Sequence, residues 1–184
     1  MSGHAGHAPW GWHRLAPSWA ERLVADAGIS PGDLVLAIGA GNGPLTAALV
    51  ARGARVLAFE LHPQRLAALR SRFAGDHRVT VVKADVADLR LPRRPFRVVA
   101  NPPFAQTTAV LSRLLAPGSR LVRADLVVQR QAAQRWAGGR APGAGRWAQV
   151  WDARAGQRLP RHAFDPPPQC DCAVLRLSRL TGLR

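Results

Sequence analysis

Short apolar runs that alternate with helical segments are the feature that most constrains what this chain can fold into. Five runs have the length of strands: Leu34–Ile38, Arg55–Glu60, Val79–Val82, Phe96–Ala100 and Leu121–Val128. Apolar runs of this length are typical of strands buried on both faces, as in a parallel sheet covered by helices. The alternation therefore predicts an α/β fold with a doubly wound, mostly parallel sheet, whose ligand is expected at the carboxyl ends of the strands.

Helical patterns precede, separate and follow these strands. Ser18 and Glu21 have the spacing of a capping box at the start of the first helix. Residues 138–145 contain Gly, Pro and Arg without a hydrophobic face, which predicts a mobile loop. Two late strands, near Gln149–Ala153 and Ala173–Leu177, are expected to close the sheet as an antiparallel ribbon. The helices are predicted at about Ser18–Ala27, Pro44–Ala51, Pro63–Phe73, Thr107–Leu115 and Gln129–Trp136.

The composition limits the class of protein. The chain has 184 residues, of which 47% are hydrophobic, so one globular domain over residues 1–184 is expected rather than a disordered chain. Residues 1–9 are expected to be flexible, and neither a signal peptide nor a membrane-spanning helix is predicted. The only cysteines, Cys170 and Cys172, fit a reducing cytoplasm and the packing of a late strand. Two cysteines alone predict no metal site.

The charge balance favours a polyanionic partner. The chain has 26 basic and 11 acidic residues, a net charge of +15, and Lys83 is its only lysine. Nucleic acid is the default partner of so basic a chain. A membrane surface is the weaker alternative, because the sequence shows no separate basic amphipathic helix. From 120 to 161 there are nine arginines against two aspartates, with three tryptophans between them, at least two of which are expected in the core. This segment predicts an RNA-binding face that includes Arg130, Arg135, Arg140 and Arg146.

Three features follow three successive predicted strands. Gly39-Ala40-Gly41-Asn42-Gly43 ends the first strand and opens a helix, so a ligand can approach the backbone and the helix N-terminus closely. Its spacing is neither that of a dinucleotide-binding turn nor that of a P-loop. Glu60 stands where an acidic residue reaches ribose hydroxyls, and Asp85 where a carboxylate or its neighbour meets an adenine amine. Taken singly, these features also fit a tight turn, a solvated glutamate and a capping aspartate.

The most specific motif is Asn101-Pro102-Pro103-Phe104, after the fourth strand. Consecutive prolines fix an extended backbone and leave carbonyls without a sheet partner. The Asn101 side-chain oxygen and the Pro102 carbonyl can accept the two N–H bonds of an amine attached to a ring, and Phe104 offers a stacking face. A structural Pro-Pro turn with a core phenylalanine is the alternative.

Together, the glycine-rich turn, Glu60, Asp85 and the Asn-Pro-Pro-Phe motif resemble class I (Rossmann-like) S-adenosylmethionine methyltransferases that modify amino groups. Two terminal segments narrow the resemblance. Trp10-Gly11-Trp12-His13-Arg14-Leu15 stands where Erm-type and KsgA-type ribosomal RNA adenine methyltransferases carry Gly-Gln-Asn-Phe-Leu. The segment from Phe164 to Cys172 is similar to their Phe-x-Pro-x-Pro-x-Val-x-Ser. The resemblance covers nearly the whole chain and is greatest to short actinobacterial Erm proteins.

The resemblance implies methylation of the N6 amine of an adenine in 23S rRNA, which gives macrolide–lincosamide–streptogramin resistance. It implies a cytoplasmic monomer that uses S-adenosylmethionine and acts on 23S rRNA or a large-subunit assembly intermediate. Asn101 and the Pro102 carbonyl would orient the amine, Phe104 would stack on the adenine, and Phe164 would take the opposite side. The implied cofactor-binding residues are His13, Leu15, Gly39, Gly41, Glu60, Leu61, Asp85, Val86 and Asn101.

The sequence also departs from the family pattern. Ala37 stands where the family usually has an acidic residue, His13 replaces the usual Asn, and the chain ends at Arg184, so no C-terminal helical domain is expected. An amino-methyltransferase acting on DNA or on a protein glutamine would share Asn-Pro-Pro-Phe but not the terminal segments. Methylation of another rRNA site is a further alternative. A degenerate, non-catalytic RNA-binding protein would keep the basic face, and Ala37 is the best support for it.

Overall fold

A seven-stranded sheet forms the centre of the protein. The computed structural model describes residues 11–180, so the expectations for residues 1–9 and for Trp10 lie outside the described residues. The strand order is β4-β3-β2-β5-β6-β9-β7, and a separate two-stranded ribbon pairs β1 with β8. The strands are β1 (Arg14–Leu15), β2 (Leu34–Ile38), β3 (Arg55–Glu60), β4 (Val79–Lys83), β5 (Phe96–Ala100), β6 (Leu121–Gln129), β7 (Trp151–Leu159), β8 (Phe164–Asp165) and β9 (Cys172–Arg179).

The predicted topology is confirmed. Strands β2 to β6 pair in parallel, whereas β9 runs antiparallel to both β6 and β7. The late ribbon therefore exists, with β9 inserted between β6 and the edge strand β7. The helices are α1 (Pro17–Ala27), α2 (Pro44–Ala51), α3 (Pro63–Arg72), α4 (Thr107–Leu114), α5 (Arg130–Ala137) and α6 (Ala144–Trp147).

Both faces of the central strands of the sheet are buried, which explains their continuous apolar runs. Along β2, Val35 and Ala37 belong to one core cluster, while Leu36 and Ile38 belong to the other. This alternation is the two-residue period of a strand, here with apolar side chains on both sides. Among residues 11–180, no helix has the length and apolar character needed to cross a membrane.

Two local predictions are wrong. The first helix begins at Pro17 with Ala16 as its N-cap, and no side chain caps it. Ser18 therefore lies inside the first turn, because proline, with its fixed φ, is well suited to the first helical position.

The segment 138–145 does have an apolar side: Ala141 and Ala144 are buried, and α6 begins within the segment. Its mobility stays a prediction.

The β1–β8 ribbon was not predicted. Arg14 pairs with Asp165 and Leu15 with Phe164 in antiparallel register. The Arg14 guanidinium also donates to the Asp165 carboxylate over 2.7 Å. The ribbon joins the amino-terminal segment to the Phe164 segment, which are 149 residues apart along the chain (164 − 15). Both segments that narrowed the family resemblance are thereby brought to one place.

Asp125 in β6 anchors a buried ion-pair network. Its side chain is 2% exposed and accepts from Arg123 and Arg176, each over 2.8 Å. Both guanidiniums also donate to the Asp26 carbonyl in α1, over 2.9 and 3.3 Å. The network therefore ties β6 and β9 to the last turn of α1.

We expect Asp125→Ala to lower the free energy of unfolding by about 2 kcal/mol. Breaking a fully buried pair costs about 3–5 kcal/mol, but both guanidiniums here reach solvent. Thermal unfolding should show a melting temperature lower by about 4–8 °C. Asp152→Ala is the matched control: it removes an ion pair whose Arg154 is 76% exposed, so the loss should stay below about 1 kcal/mol. Equal losses would contradict the anchoring role of Asp125.

Candidate active site at the carboxyl edge of the sheet

A cavity of about 50 Å³ lies where β2, β3 and β4 end. Residues that follow all three of these strands line it. Its lining includes five residues predicted to bind a cofactor, together with Pro103 of the Asn-Pro-Pro-Phe motif. The five are Gly39, Glu60, Leu61, Asp85 and Val86.

The glycine-rich turn packs directly against the Asn-Pro-Pro segment. Gly39 has φ +67°, and a Cβ on it would stand 3.3 Å from both Pro102 Cα and Pro103 Cδ. Gly41 has φ +60°, and a Cβ there would meet the Trp12 ring at 2.8 Å. Both positions therefore require glycine for conformation and for close approach.

Glu60 holds the glycine-rich turn in place through a hydrogen bond to its backbone. Its carboxylate is buried, 4% exposed, and accepts from three backbone amides: Gly41 on Oε2 over 2.8 Å, and Leu61 and His62 on Oε1 over 2.9 and 2.8 Å. Arg65 adds a longer contact of 3.4 Å. Because Oε2 accepts a single hydrogen bond from the described residues, it retains a lone pair for another donor. Glu60 thus both shapes the turn and offers an acceptor to the cavity.

Asp85 caps a turn and lines the cavity, and its predicted contact with an adenine amine stays a prediction. It caps the 3₁₀ turn Val86–Asp88 by accepting from the Ala87 amide on Oδ1 over 3.0 Å. It also lines the cavity. The cap orders the turn that carries the buried Val86, so the two predicted residues are held together at the end of β4.

Asn101 is oriented by a backbone partner. Its Nδ2 donates to the His13 carbonyl over 2.7 Å, and the residue is 7% exposed. This bond turns the Oδ1 atom away from His13 as a free acceptor. Within residues 11–180, the Pro102 carbonyl also accepts no hydrogen bond, whereas the Pro103 carbonyl accepts from Gln106. Two consecutive residues beside Phe104 therefore each have an acceptor without a donor among residues 11–180, and their predicted contact with an amine stays a prediction.

His13 connects three segments of the site. Its ring stacks on Phe104 with centroids 5.5 Å apart and planes at 26°. Its Nδ1 lies 2.8 Å from the Pro166 carbonyl. His13 does not line the cavity, so its predicted contact with a cofactor stays a prediction, while its contact with the aromatic motif is observed.

Trp12 and Arg65 are site residues that sequence reasoning did not select. The Arg65 guanidinium stacks over the Trp12 ring at 4.6 Å, and both line the cavity. Trp12 also lines a smaller space of about 10 Å³ next to Leu15, Gly39 and Asn101. Trp12 and Gly39 therefore line both spaces. The position of Trp12 next to His13 in the amino-terminal motif was the signal in the sequence that could have identified it.

Phe164 lies differently from what was implied. It is 3% exposed and packs in the core cluster that contains Leu15. In this conformation its ring presents no face to a ligand, because β8 pairing directs it inward. Phe104 is partly exposed, although His13 stacks on its ring, so part of this aromatic side chain is open to solvent.

The predicted RNA-binding arginines do not form one face. Arg130 begins α5 just after the carboxyl end of β6, whereas Arg146 lies near Pro95, which precedes β5 at its amino end. Arg130, Arg135, Arg140 and Arg146 make no ion pair with any residue from 11 to 180, in contrast to Arg123 and Arg154. Their charges are therefore unneutralised and extend from one edge of the sheet to the other.

The two cysteines line neither of the two spaces next to Trp12. Cys172 is buried in β9, and burial raises the pKa of its thiol to about 12, so it stays protonated and unreactive. In the part of the chain that the structure describes, no group of three His, Cys, Asp or Glu side chains is placed to hold a metal ion.

Comparison with known families gives one consistent result. The family model described as ribosomal RNA adenine dimethylase matches residues 16–183. A curated rRNA methyltransferase from Streptomyces thermotolerans is 37% identical over 166 residues, covering 86% of this chain and 54% of the relative. A ribosomal RNA small subunit methyltransferase A from Gloeobacter violaceus is also 37% identical, covering 86% of this chain and 61% of the relative. The chain thus spans about half to three fifths of these relatives.

Solved structures agree with the topology. The crystal structure of the 23S rRNA methyltransferase ErmE superposes with a TM-score of 0.82 at 26% identity, covering 92% of this chain and 70% of that one. A dimethyladenosine transferase from Plasmodium falciparum superposes with a TM-score of 0.79 at 22% identity, covering 91% and 64%. The fold is that of class I methyltransferases.

Proposed function

Because the chain belongs to the ribosomal RNA adenine dimethylase family, we propose that it transfers a methyl group from S-adenosylmethionine to the N6 amine of an adenine in 23S rRNA. The observation that carries this proposal is the pair of unused acceptors, Asn101 Oδ1 and the Pro102 carbonyl, beside the Phe104 ring. The two acceptors match the two N–H bonds of an adenine amine, and the ring matches the base.

The residues at the carboxyl edge fit the cofactor. Gly39 and Gly41 allow close approach, Glu60 Oε2 can accept from a ribose hydroxyl, and the Asp85–Val86 turn can receive the adenine. The present cavity of about 50 Å³ is smaller than a typical ligand pocket of roughly 300–1,000 Å³. Binding of the cofactor therefore requires the residues that line this cavity to move apart.

The chemistry needs positioning more than a base. The bound cofactor supplies a methyl group on a positively charged sulfur. The target adenine must leave its stack to reach Asn101, and Phe104 then holds its face. When Asn101 and Pro102 accept both N–H bonds, the lone pair of the amine nitrogen points away from these two acceptors. Alignment of this lone pair with the methyl group then provides most of the acceleration. The amine loses its proton after attack, so the engaged carboxylates Glu60 and Asp85 need not act as bases.

The large subunit is the target that we propose. The Erm-type terminal segments and the likeness to ErmE favour 23S rRNA, whereas the small-subunit relatives make 16S rRNA the competing substrate. Mass spectrometry of both rRNAs from a susceptible host that expresses the protein decides between them. We expect methylated adenine in 23S rRNA and a raised inhibitory concentration of macrolides. A methyl group found only in 16S rRNA or only in DNA would contradict the assignment.

RNA binding should depend on the arginines of α5 and the loop after it. Each phosphate contact contributes about one unit to the slope of log affinity against log salt. Arg130→Ala/Arg135→Ala/Arg140→Ala should lower that slope for 23S rRNA by about 2–3 units in filter-binding assays. Arg52→Ala/Arg55→Ala/Arg70→Ala removes the same charge from exposed arginines on the other half of the sheet and should leave the slope unchanged. Equal slopes for the two triple variants would place the RNA elsewhere.

A further inference from the structure

A second, larger cavity lies at the opposite edge of the sheet from Asn101. It has a volume of about 770 Å³, within the range of small-ligand pockets. Its walls come from the turns before β5 and β6, from α6, and from the meeting point of β7 and β9. It therefore shares no residue with the site at the carboxyl edge.

The cavity is positively charged and holds no acid. Three of its lining residues are arginines, Arg120, Arg146 and Arg179, and none is an aspartate or glutamate. Arg179 is held in place by the Ser119 carbonyl, to which it donates over 2.9 Å. Arg120 and Arg146 are exposed, and neither side chain has a hydrogen-bond or ion-pair partner among residues 11–180. Two guanidiniums are thus available to an anion.

Nearby acids do not neutralise this charge. Asp33, just before β2, pairs with Arg97 over 3.2 Å, and Asp152, at the start of β7, pairs with Arg154 over 2.6 Å. Arg93 and Arg94 directly precede Pro95, which lines the cavity, and both are exposed. The amino edge of the sheet therefore keeps a local excess of positive charge.

Aromatic rings complete the cavity. Trp151 is buried beneath Arg179, whose guanidinium stacks over it at 4.7 Å. Trp147 is only partly buried and lines the same cavity. Arginines that contact phosphate next to an aromatic face are the combination with which proteins bind unpaired nucleotides.

We propose that this cavity binds one unstacked nucleotide of single-stranded RNA, with Arg120 and Arg146 on its phosphate and Trp147 against its base. The inference rests on the proposed function, which supplies an RNA that reaches the protein. Strand β5 has five residues, so the two edges are roughly 17 Å apart, and one folded RNA can contact both. An acidic peptide would satisfy the arginines but would leave the Trp147 face unused, so RNA is favoured.

The test measures the affinity of the whole chain for a single-stranded decaribonucleotide at several salt concentrations. Arg120→Ala/Arg146→Ala should weaken binding about tenfold and lower the salt slope by about 0.7, since both arginines are placed on one phosphate and each single-strand phosphate contributes about 0.7. Trp147→Leu should weaken binding at least fivefold with an unchanged slope, because stacking carries no net charge. Arg52→Ala/Arg70→Ala is the charge-matched control and should behave as wild type.

Three outcomes would overturn the proposal. In the first, Arg120→Ala/Arg146→Ala binds the oligonucleotide as tightly as the control Arg52→Ala/Arg70→Ala. In the second, Trp147→Leu leaves the affinity unchanged. In the third, a polyglutamate peptide binds more tightly than RNA and its binding depends on Arg120 and Arg146. Methyl transfer to 23S rRNA is measured alongside with wild type. If wild type transfers methyl groups but Arg120→Ala/Arg146→Ala binds the oligonucleotide normally, the cavity proposal is wrong and the proposed function stands. If wild type transfers no methyl group but Arg120→Ala/Arg146→Ala binds the oligonucleotide weakly, the proposed function is wrong and the cavity proposal stands.

Discussion

Asn101→Ala should slow methyl transfer roughly a hundredfold while leaving the fold and RNA binding intact. The substitution removes the Oδ1 acceptor and the hydrogen bond of 2.7 Å that fixes the His13 carbonyl. Losing one preorganised hydrogen bond at a reacting group costs about 3 kcal/mol, or roughly a hundredfold in rate. The measurement is single-turnover transfer at saturating cofactor and RNA, which separates the chemical step from binding.

Two variants sharpen this experiment. Asn101→Asp keeps an acceptor but loses the donor to His13, so it should retain more activity than Asn101→Ala if the acceptor is the essential part. Thr108→Ala, at an exposed position of α4 a few residues along the chain, should transfer methyl groups at the wild-type rate. Equal rates for Asn101→Ala and wild type would remove Asn101 from the chemistry. No transfer by wild type would favour a non-catalytic RNA-binding protein.

The parts of the fold that the sequence predicts are those with a local cause. The helix bounds at Pro44–Ala51 are as predicted because Pro44 occupies the first helical position, and the strand Leu34–Ile38 because its continuous apolar run fits burial on both faces. The convergence of Gly39, Glu60 and Asp85 follows from parallel strands that end at one edge. Local pattern and topology together were sufficient there.

The unpredicted parts depend on contacts between distant segments. Pairing of Leu15 with Phe164 buries a ring that the resemblance placed against the substrate, and no local pattern encodes that pairing. The stack of Arg65 on Trp12 likewise joins a surface helix to the amino-terminal segment. An arginine in an amphipathic helix is usually solvated, so periodicity alone gave no reason to choose Arg65.

The same reasoning explains why the basic segment was misjudged as one face. The nine arginines lie within one segment, residues 120–161, but α5 crosses from the carboxyl edge of β6 towards the amino edge of the sheet. Arg130 and Arg146 are thereby separated, and each joins a different group of neighbours. Charge composition predicted the partner class, whereas only the topology shows that two separate surfaces carry that charge.

Glu60→Ala should weaken S-adenosylmethionine binding about a hundredfold. The carboxylate accepts from the Gly41, Leu61 and His62 amides, so its loss removes a ribose acceptor and also releases the turn that shapes the cleft. Hydrogen bonds to a charged group contribute about 1.5–3 kcal/mol each, and part of that loss falls on the folded protein itself. Titration calorimetry gives the affinity for the cofactor, and thermal unfolding of the same samples gives the loss of stability of the folded protein.

Conservative and remote variants separate these two contributions. Glu60→Gln keeps the size of the side chain, but its NH₂ group opposes one of the three amide donors, so affinity should fall about tenfold, less than for alanine. Glu21→Ala, on the exposed side of α1 without a hydrogen-bond partner among residues 11–180, removes the same charge and should bind the cofactor normally. If Glu60→Ala loses stability but binds the cofactor as tightly as Glu21→Ala, then Glu60 serves the turn alone, and the ribose must be held by another group.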